Sequence, residues 1–380
     1  MTLSPVSPSQ PHEIRWSCAY ALATLQLVVT LGWLAYAHFH AKLAEHFGFA
    51  ALSGFLSLYL GIAGATLAPV VGEVGDRIVQ RSGNRFPVLV TGALLAGATF
   101  VSVALTVTAT PSGFLGGVLL VLMLIWIAAM AILQAPALAL LPAVATQAGR
   151  WPAVASPLVV ATVLPLALWP LVRMVLDGLG GTITFLAGGV LVVASTFWLR
   201  RVFTAEASAA ERAPTDVEAL APASGAILAI VLFVGMVSAF VTRLASDVVP
   251  SLLASRLGSG AATPSLLAAA ILGSGTVLAP TLSGVGLTFG TRFGVLGSAA
   301  IAAGCAAVAP LCTSIVAALA VAIVLGGAMA VHLDCALPFA LGSLPLRRAG
   351  LSAGLYLGGV FAGSQLASLV PLVAASSGGG

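Results

Sequence analysis

The sequence predicts an all-α membrane protein made of two helical bundles, and three observations support this. Hydrophobic residues make up 60% of the 380 and charged residues only 7%, with a mean hydropathy of +1.13. A soluble domain carries about a quarter charged residues, and so few charges would leave apolar patches larger than soluble surfaces tolerate. The second observation is a succession of apolar stretches of about 20 residues, the length that crosses a bilayer core. The third is that the second half of the chain repeats the first.

In order, the apolar stretches are 16–38, 48–71, 87–109, 113–143, 153–177 and 180–199, then 225–251, 264–288, 294–312, 315–343 and 350–374. Residues 1–15 are polar and carry no cleavable signal pattern, so the first stretch reads as a retained helix behind a cytoplasmic N-terminus. The interval 200–224 is the only long hydrophilic one after that. It reads as a cytoplasmic linker between a six-helix bundle, 16–199, and a five-helix bundle, 225–374, with a tail at 375–380. The tally is 11 transmembrane helices, 6+5, with a twelfth missing from the count.

Basic residues set the expected orientation. With the N-terminus inside, Arg15, Arg77, Arg81, Arg85, Arg150, Arg200, Arg201, Arg212, Arg292, Arg347 and Arg348 fall on cytoplasmic segments. Lys42 and Arg256 fall on outer loops, and Arg173 and Arg243 within spans. That asymmetry follows the positive-inside rule. It accounts for the net charge of +4 without a nucleic-acid partner, and places the chain in the cell (inner) membrane as a multi-pass protein.

The repeat is in register over several spans. Residues 67–75, LAPVVGEVG, recur 211 positions later as 278–286, LAPTLSGVG. Residues 85–97, RFPVLVTGALLAG, recur 207 positions later as 292–304, RFGVLGSAAIAAG. Ala129-Met130-Ala131 returns at Ala328-Met329-Ala330, an offset of 199. Parallel repeats of this kind are expected to pack as two bundles about an axis along the membrane normal, with a solute path between them.

The loop after the second span carries Gly72, Asp76, Arg77, Arg81, Gly83 and Arg85, followed by Pro87. It resembles the second-to-third-helix loop motif of the major facilitator superfamily. The spacing D-R-x3-R-x-G-x-R-x-P is closest to the sucrose–proton symporter and glycoside–pentoside–hexuronide branch. Gln134-Ala-Pro136, Leu337-Pro338-Phe339-Ala340-Leu341 and Gly350-Leu351-Ser352-Ala353-Gly354 are similar to further elements of that branch, with Gln365 one residue later than the family's glutamine. The resemblance implies alternating access, sugar or glycoside transport and proton symport. The chain departs from it at Leu138 and Ala143, where relatives carry Arg and Asp associated with coupling and substrate binding. In the loop itself, Asp76 can sit near a helix N-terminus while arginines pair with it, or the charges serve only to fix topology.

Ionisable groups within the spans are few, and such groups usually face a cavity or a partner. Arg173/Asp177 and Arg243/Asp247 are i,i+4 pairs in the outer third of their helices. They read as an outer gate, or as interfacial side chains whose charged heads reach headgroup water. Asp334 lies deeper, about 10 Å from the midpoint of its helix. It is the candidate coupling group, with His332 as a second titrating side chain; the alternative is a carboxyl bonded to nearby backbone or reached by water.

Neutral polar side chains mark the candidate substrate cavity. Gln26, Thr30 and Trp33 form one stripe of the first span, joined by Gln134, Ser238, Thr242, Tyr356 and Gln365 from later spans. Amide, hydroxyl and indole groups suit a neutral polyol or glycoside; the alternative is interhelical packing by small polar residues. Gly354, Gly358, Gly359 and Gly363 are expected at close helix contacts. Cys18, Cys305, Cys312 and Cys335 lie in apolar stretches without CxxC spacing and read as packing residues, not a disulfide or metal set.

No phosphate-binding Gly-x4-Gly-Lys-Ser/Thr loop occurs, which excludes ATP-driven transport within this chain. No catalytic constellation occurs either, and no cofactor or metal is expected. The partners expected are a small-molecule solute, membrane lipids and protons. Two rival readings stay open: export of an apolar, drug-like compound, and a non-transporting membrane assembly or sensor protein.

Overall fold

The computed structural model describes residues 14–145, 147–207, 224–258 and 263–377. Every regular element among them is helical. Ten segments are long and apolar enough to cross a membrane, and Ala349–Ser377 adds an eleventh long helix of 29 residues. The long helices are α1 Trp16–His46, α2 Ser53–Ser82, α3 Phe86–Val107, α4 Gly113–Leu138, α5 Trp151–Ala167 and α6 Trp169–Ala207. After these come α7 Gly225–Arg243, α8 Pro264–Leu282, α9 Thr291–Val308, α10 Ile315–Ser343 and α11 Ala349–Ser377.

Local chemistry explains the boundaries. Ser112, Thr263 and Ser314 cap α4, α8 and α10, each side chain accepting an amide from the first turn. α2 ends on Gly83, whose φ of 68° is left-handed and whose N–H returns to Val79 at 2.7 Å. Pro250 cannot donate to the carbonyl four residues back, and the backbone past α7 widens into one π turn, Leu244–Val248, before helix resumes at Val249–Leu257.

Several helix ends differ from the apolar stretches: α1 and α2 run on to His46 and Ser82, and α5 ends at Ala167 instead of 177, with α6 beginning at Trp169. The break expected between 177 and 180 is a single residue, Gly180, with φ 72° and ψ 168° inside α6; only glycine takes that conformation at low cost. α6 then continues to Ala207, into the expected linker 200–224, because adding a turn to an existing helix costs little. Residues 208–223, including Arg212, lie outside the described residues, as do 1–13 and 378–380 of the expected terminal segments.

Within the first half, α6 packs on α1 and α3, and α4 on α2 and α3; in the second, α10 packs on α8 and α9, and α11 on α7. Two seams join the halves, α2 against α11 and α8 against α5. The repeat relates them, since residues 67–75 lie on α2 and 278–286 at the end of α8. Glycine makes the α2–α11 seam very close. A Cβ on Gly72 would lie 2.0 Å from the Gly350 carbonyl oxygen, and one on Gly354 2.2 Å from that of Ala68. On the other seam Gly286, the repeat partner of Gly75, packs on Pro152, which a Cβ would meet at 2.9 Å. Both contacts lie at the end carrying Arg77, Arg85, Arg150 and Arg347, called the basic end below.

Candidate functional site

At the basic end, a buried carboxylate bridges the α2–α11 seam. Asp76, only 1% exposed, accepts the backbone N–H of Gly350 at 2.9 Å on one oxygen and that of Leu351 at 2.8 Å on the other. Arg85 approaches the first oxygen to 2.7 Å. The two amides belong to the first turn of α11, where N–H groups have no helical acceptor and the helix dipole favours an anion. Gly72 and Gly350 carry no Cβ, so the carboxylate can come this close. Of the other loop residues, Arg77 pairs with Glu73 at 3.2 Å in an exposed i,i+4 bridge, Arg81 is exposed, and Gly83 ends the helix.

The second-half polar residues meet at one ring. His332 on α10 is fully buried. Its Nε2 lies 3.1 Å from Ser238 Oγ on α7, and its Nδ1 3.2 Å from Ser298 Oγ on α9 and 3.3 Å from the Val295 carbonyl. A carbonyl only accepts, so Nδ1–H donates to Val295. His332, Ser238 and Ser298 thus join α7, α9 and α10. Thr242 sits one turn further along α7, its hydroxyl returned to the Ser238 carbonyl at 2.9 Å.

Asp334, two residues on from His332, is turned away from that network. Its exposure is 0%, and neither carboxylate oxygen has a hydrogen-bond partner among the described residues. Nearby backbone therefore does not satisfy it.

The i,i+4 pairs each stay within one half. Asp177 is bound by His38 at 2.8 Å and Lys42 at 3.0 Å, both from α1, with Arg173 at 3.8 Å. Arg243 meets Asp247 at 2.9 Å on the same continuous helix. Neither set has a partner across the halves among the described residues.

No family model and no curated protein matches the sequence. Solved structures do. The crystal structure of the human organic anion transporter MFSD10 (TETRAN) superposes with a TM-score of 0.69 over 95% of this chain and 94% of that one, at 14% sequence identity. The fold is that of a major facilitator.

In the facilitator fold seen here, the first-span stripe divides. Gln26 donates to Thr162 on α5 at 3.2 Å, and the Thr30 hydroxyl is spent on the Gln26 carbonyl at 2.9 Å. Trp33 belongs to an aromatic group instead. It lies 4.8 Å from Trp126 on α4 and 5.6 Å from Phe361 on α11, and Tyr36 stacks on Trp126 at 4.8 Å with an interplanar angle of 14°. Trp33 and Phe361 come from opposite halves, so this group closes over the seam between them.

Gln134 is buried, and its Oε1 has no partner among the described residues; neither has Nε1 of Trp126. α4 thus holds one open acceptor and one open donor. Gln365 packs against Gly61, whose added Cβ would meet its Cγ at 2.3 Å. Tyr36, Trp126, Thr162 and Phe361 were not among the sequence candidates. Trp126 and Phe361 sit in uniformly apolar stretches, where no period separates an inward aromatic from one facing lipid; only Tyr36, three residues after Trp33 on the same stripe, carried a signal.

Proposed function

We propose that the chain is a secondary transporter working by alternating access, with the two halves rocking about the α2–α11 and α5–α8 seams. The observation that carries this reading is the Asp76 contact: a buried carboxylate from one half holds the first turn of a helix from the other. A carboxylate held by the amides of a helix N-terminus in the other half can close one end of a path and release it. The basic residues around it favour a cytoplasmic assignment for that end.

The solute best suited to the interior is neutral and ring-bearing, with sugars and glycosides first. Trp33, Tyr36 and Trp126 offer aromatic faces, and the open donor and acceptor on α4 suit hydroxyl groups. Asp334 is the proposed proton carrier, because it is a lone buried carboxyl on a helix that meets both halves. The test is uptake into proteoliposomes under an imposed pH gradient. Asp334→Asn is expected to abolish uphill accumulation while counterflow exchange of solute persists. Unchanged pH-driven accumulation removes Asp334 from the mechanism.

The same aromatic density favours a second reading, export of an apolar compound. Efflux of a lipophilic dye that is insensitive to added sugars would select it.

A further inference from the structure

The two seams are related by the repeat, yet they close differently. Where α2 meets α11, glycines on both sides bring backbone onto backbone. Where α5 meets α8, Gly286 packs on the ring of Pro152, and beyond that contact a groove of about 490 Å³ opens. Its walls are Trp16, Tyr20 and Thr24 of α1, Ser156 and Val160 of α5, and Pro280 of α8.

The groove is stratified along the membrane normal. At the basic end Trp16 and Tyr20 stack at 5.9 Å and are 44% and 57% exposed, the placement of aromatic side chains at headgroup level. Ser156 lies five residues into α5, about 8 Å past the start of that helix, while Trp16 opens α1 and Tyr20 lies about 6 Å past its start. Ser156 is 3% exposed and its hydroxyl has no partner among the described residues. Pro157 and Pro165 cannot donate to the carbonyls of Ala153 and Ala161, which also line the groove. Deeper still, Leu27, Val160 and Leu164 leave only apolar surface.

We propose that this groove binds one glycerophospholipid of the surrounding leaflet. The headgroup lies against Trp16 and Tyr20, an ester carbonyl accepts the Ser156 hydroxyl, and the acyl chain runs along Leu27, Val160 and Leu164. A lipid headgroup, its ester level and its chain succeed one another over the same depth as these three layers. The walls come from both halves, so on the transport reading a bound lipid favours whichever arrangement keeps the groove open.

The test reads binding directly. Purified protein is delipidated, supplied with diacyl phospholipid or with its diether analogue, which lacks the ester carbonyl, and examined by native mass spectrometry. Wild type is expected to retain one diacyl lipid several-fold better than the diether. Ser156→Ala should lose about five-fold of diacyl retention, the worth of one hydrogen bond, and leave diether retention unchanged. Thr24→Trp, which fills the groove, should lose both. Equal retention of the two lipids by wild type, or no effect of Ser156→Ala, overturns the assignment. No transport is measured, so failure here is distinct from failure of the carrier reading.

Discussion

The Asp76 carboxylate on α2 accepts the backbone N–H of Gly350 on α11 at 2.9 Å, 274 residues away in the chain. This bond and its neighbour to Leu351 tie the two halves at one end. Hydrogen bonds to a charged acceptor contribute about 1.5–3 kcal/mol each, so the contact is large on the scale of a conformational equilibrium. Asp76→Asn keeps the shape but removes the charge, and is expected to shift the equilibrium toward opening at the basic end. Alkylation of a cysteine placed at Ser343, with the four native cysteines replaced, should then quicken by about ten-fold, the equivalent of 1.4 kcal/mol. An unchanged rate would show that the pair does not hold that end.

Glycine contacts on the same seam make a second test. Gly72→Ala puts a methyl group against the Gly350 carbonyl, which the backbone can meet only by moving apart; a cost of about 1–3 kcal/mol is expected. Gly75 has open space where its Cβ would be, and Gly75→Ala should be neutral or slightly stabilising in a helix. A lower thermal midpoint for Gly72→Ala alone is the predicted outcome.

His332 holds α7 and α9 through Ser238 and Ser298. His332→Phe fills similar volume but offers no ring nitrogen, so Ser238 loses its partner on α10 and the Val295 carbonyl keeps only the Ser298 hydroxyl as a side-chain donor. We expect a loss of about 1–3 kcal/mol, read as a lower denaturation midpoint in detergent, while Asp334→Asn leaves that midpoint nearly unchanged. Loss of proton coupling in His332→Phe without any loss of stability would instead make the ring part of the proton path.

The aromatic group can be followed by its own fluorescence. A solute entering between α1 and α4 should quench Trp33 and Trp126, and Trp126→Phe should remove much of the quench and weaken solute binding by about 0.5–1.5 kcal/mol. Quenching that survives both Trp33→Phe and Trp126→Phe would place the solute elsewhere.

Sequence by itself determined the solvent, the helix inventory and the duplication. Lipid leaves backbone groups no partner outside their own helix, so length and hydropathy alone marked eleven helices, and the register of 67–75 with 278–286 announced the paired seams. The Asp76 loop was legible because its charges stand out in a chain with so few. Tertiary structure decided the partners. That Asp76 reaches α11, that Asp177 pairs with His38 and Lys42 of α1, that His332 is ringed by serines while Asp334 two residues on meets none, and that Trp126 and Phe361 face Trp33, all depend on how helices rotate against one another. In a membrane every face of a helix is apolar, so the hydrophobic pattern that would fix such rotations in water is nearly silent. Rotation is set instead by close contacts between glycines, prolines and single polar atoms, which only the assembled fold brings together.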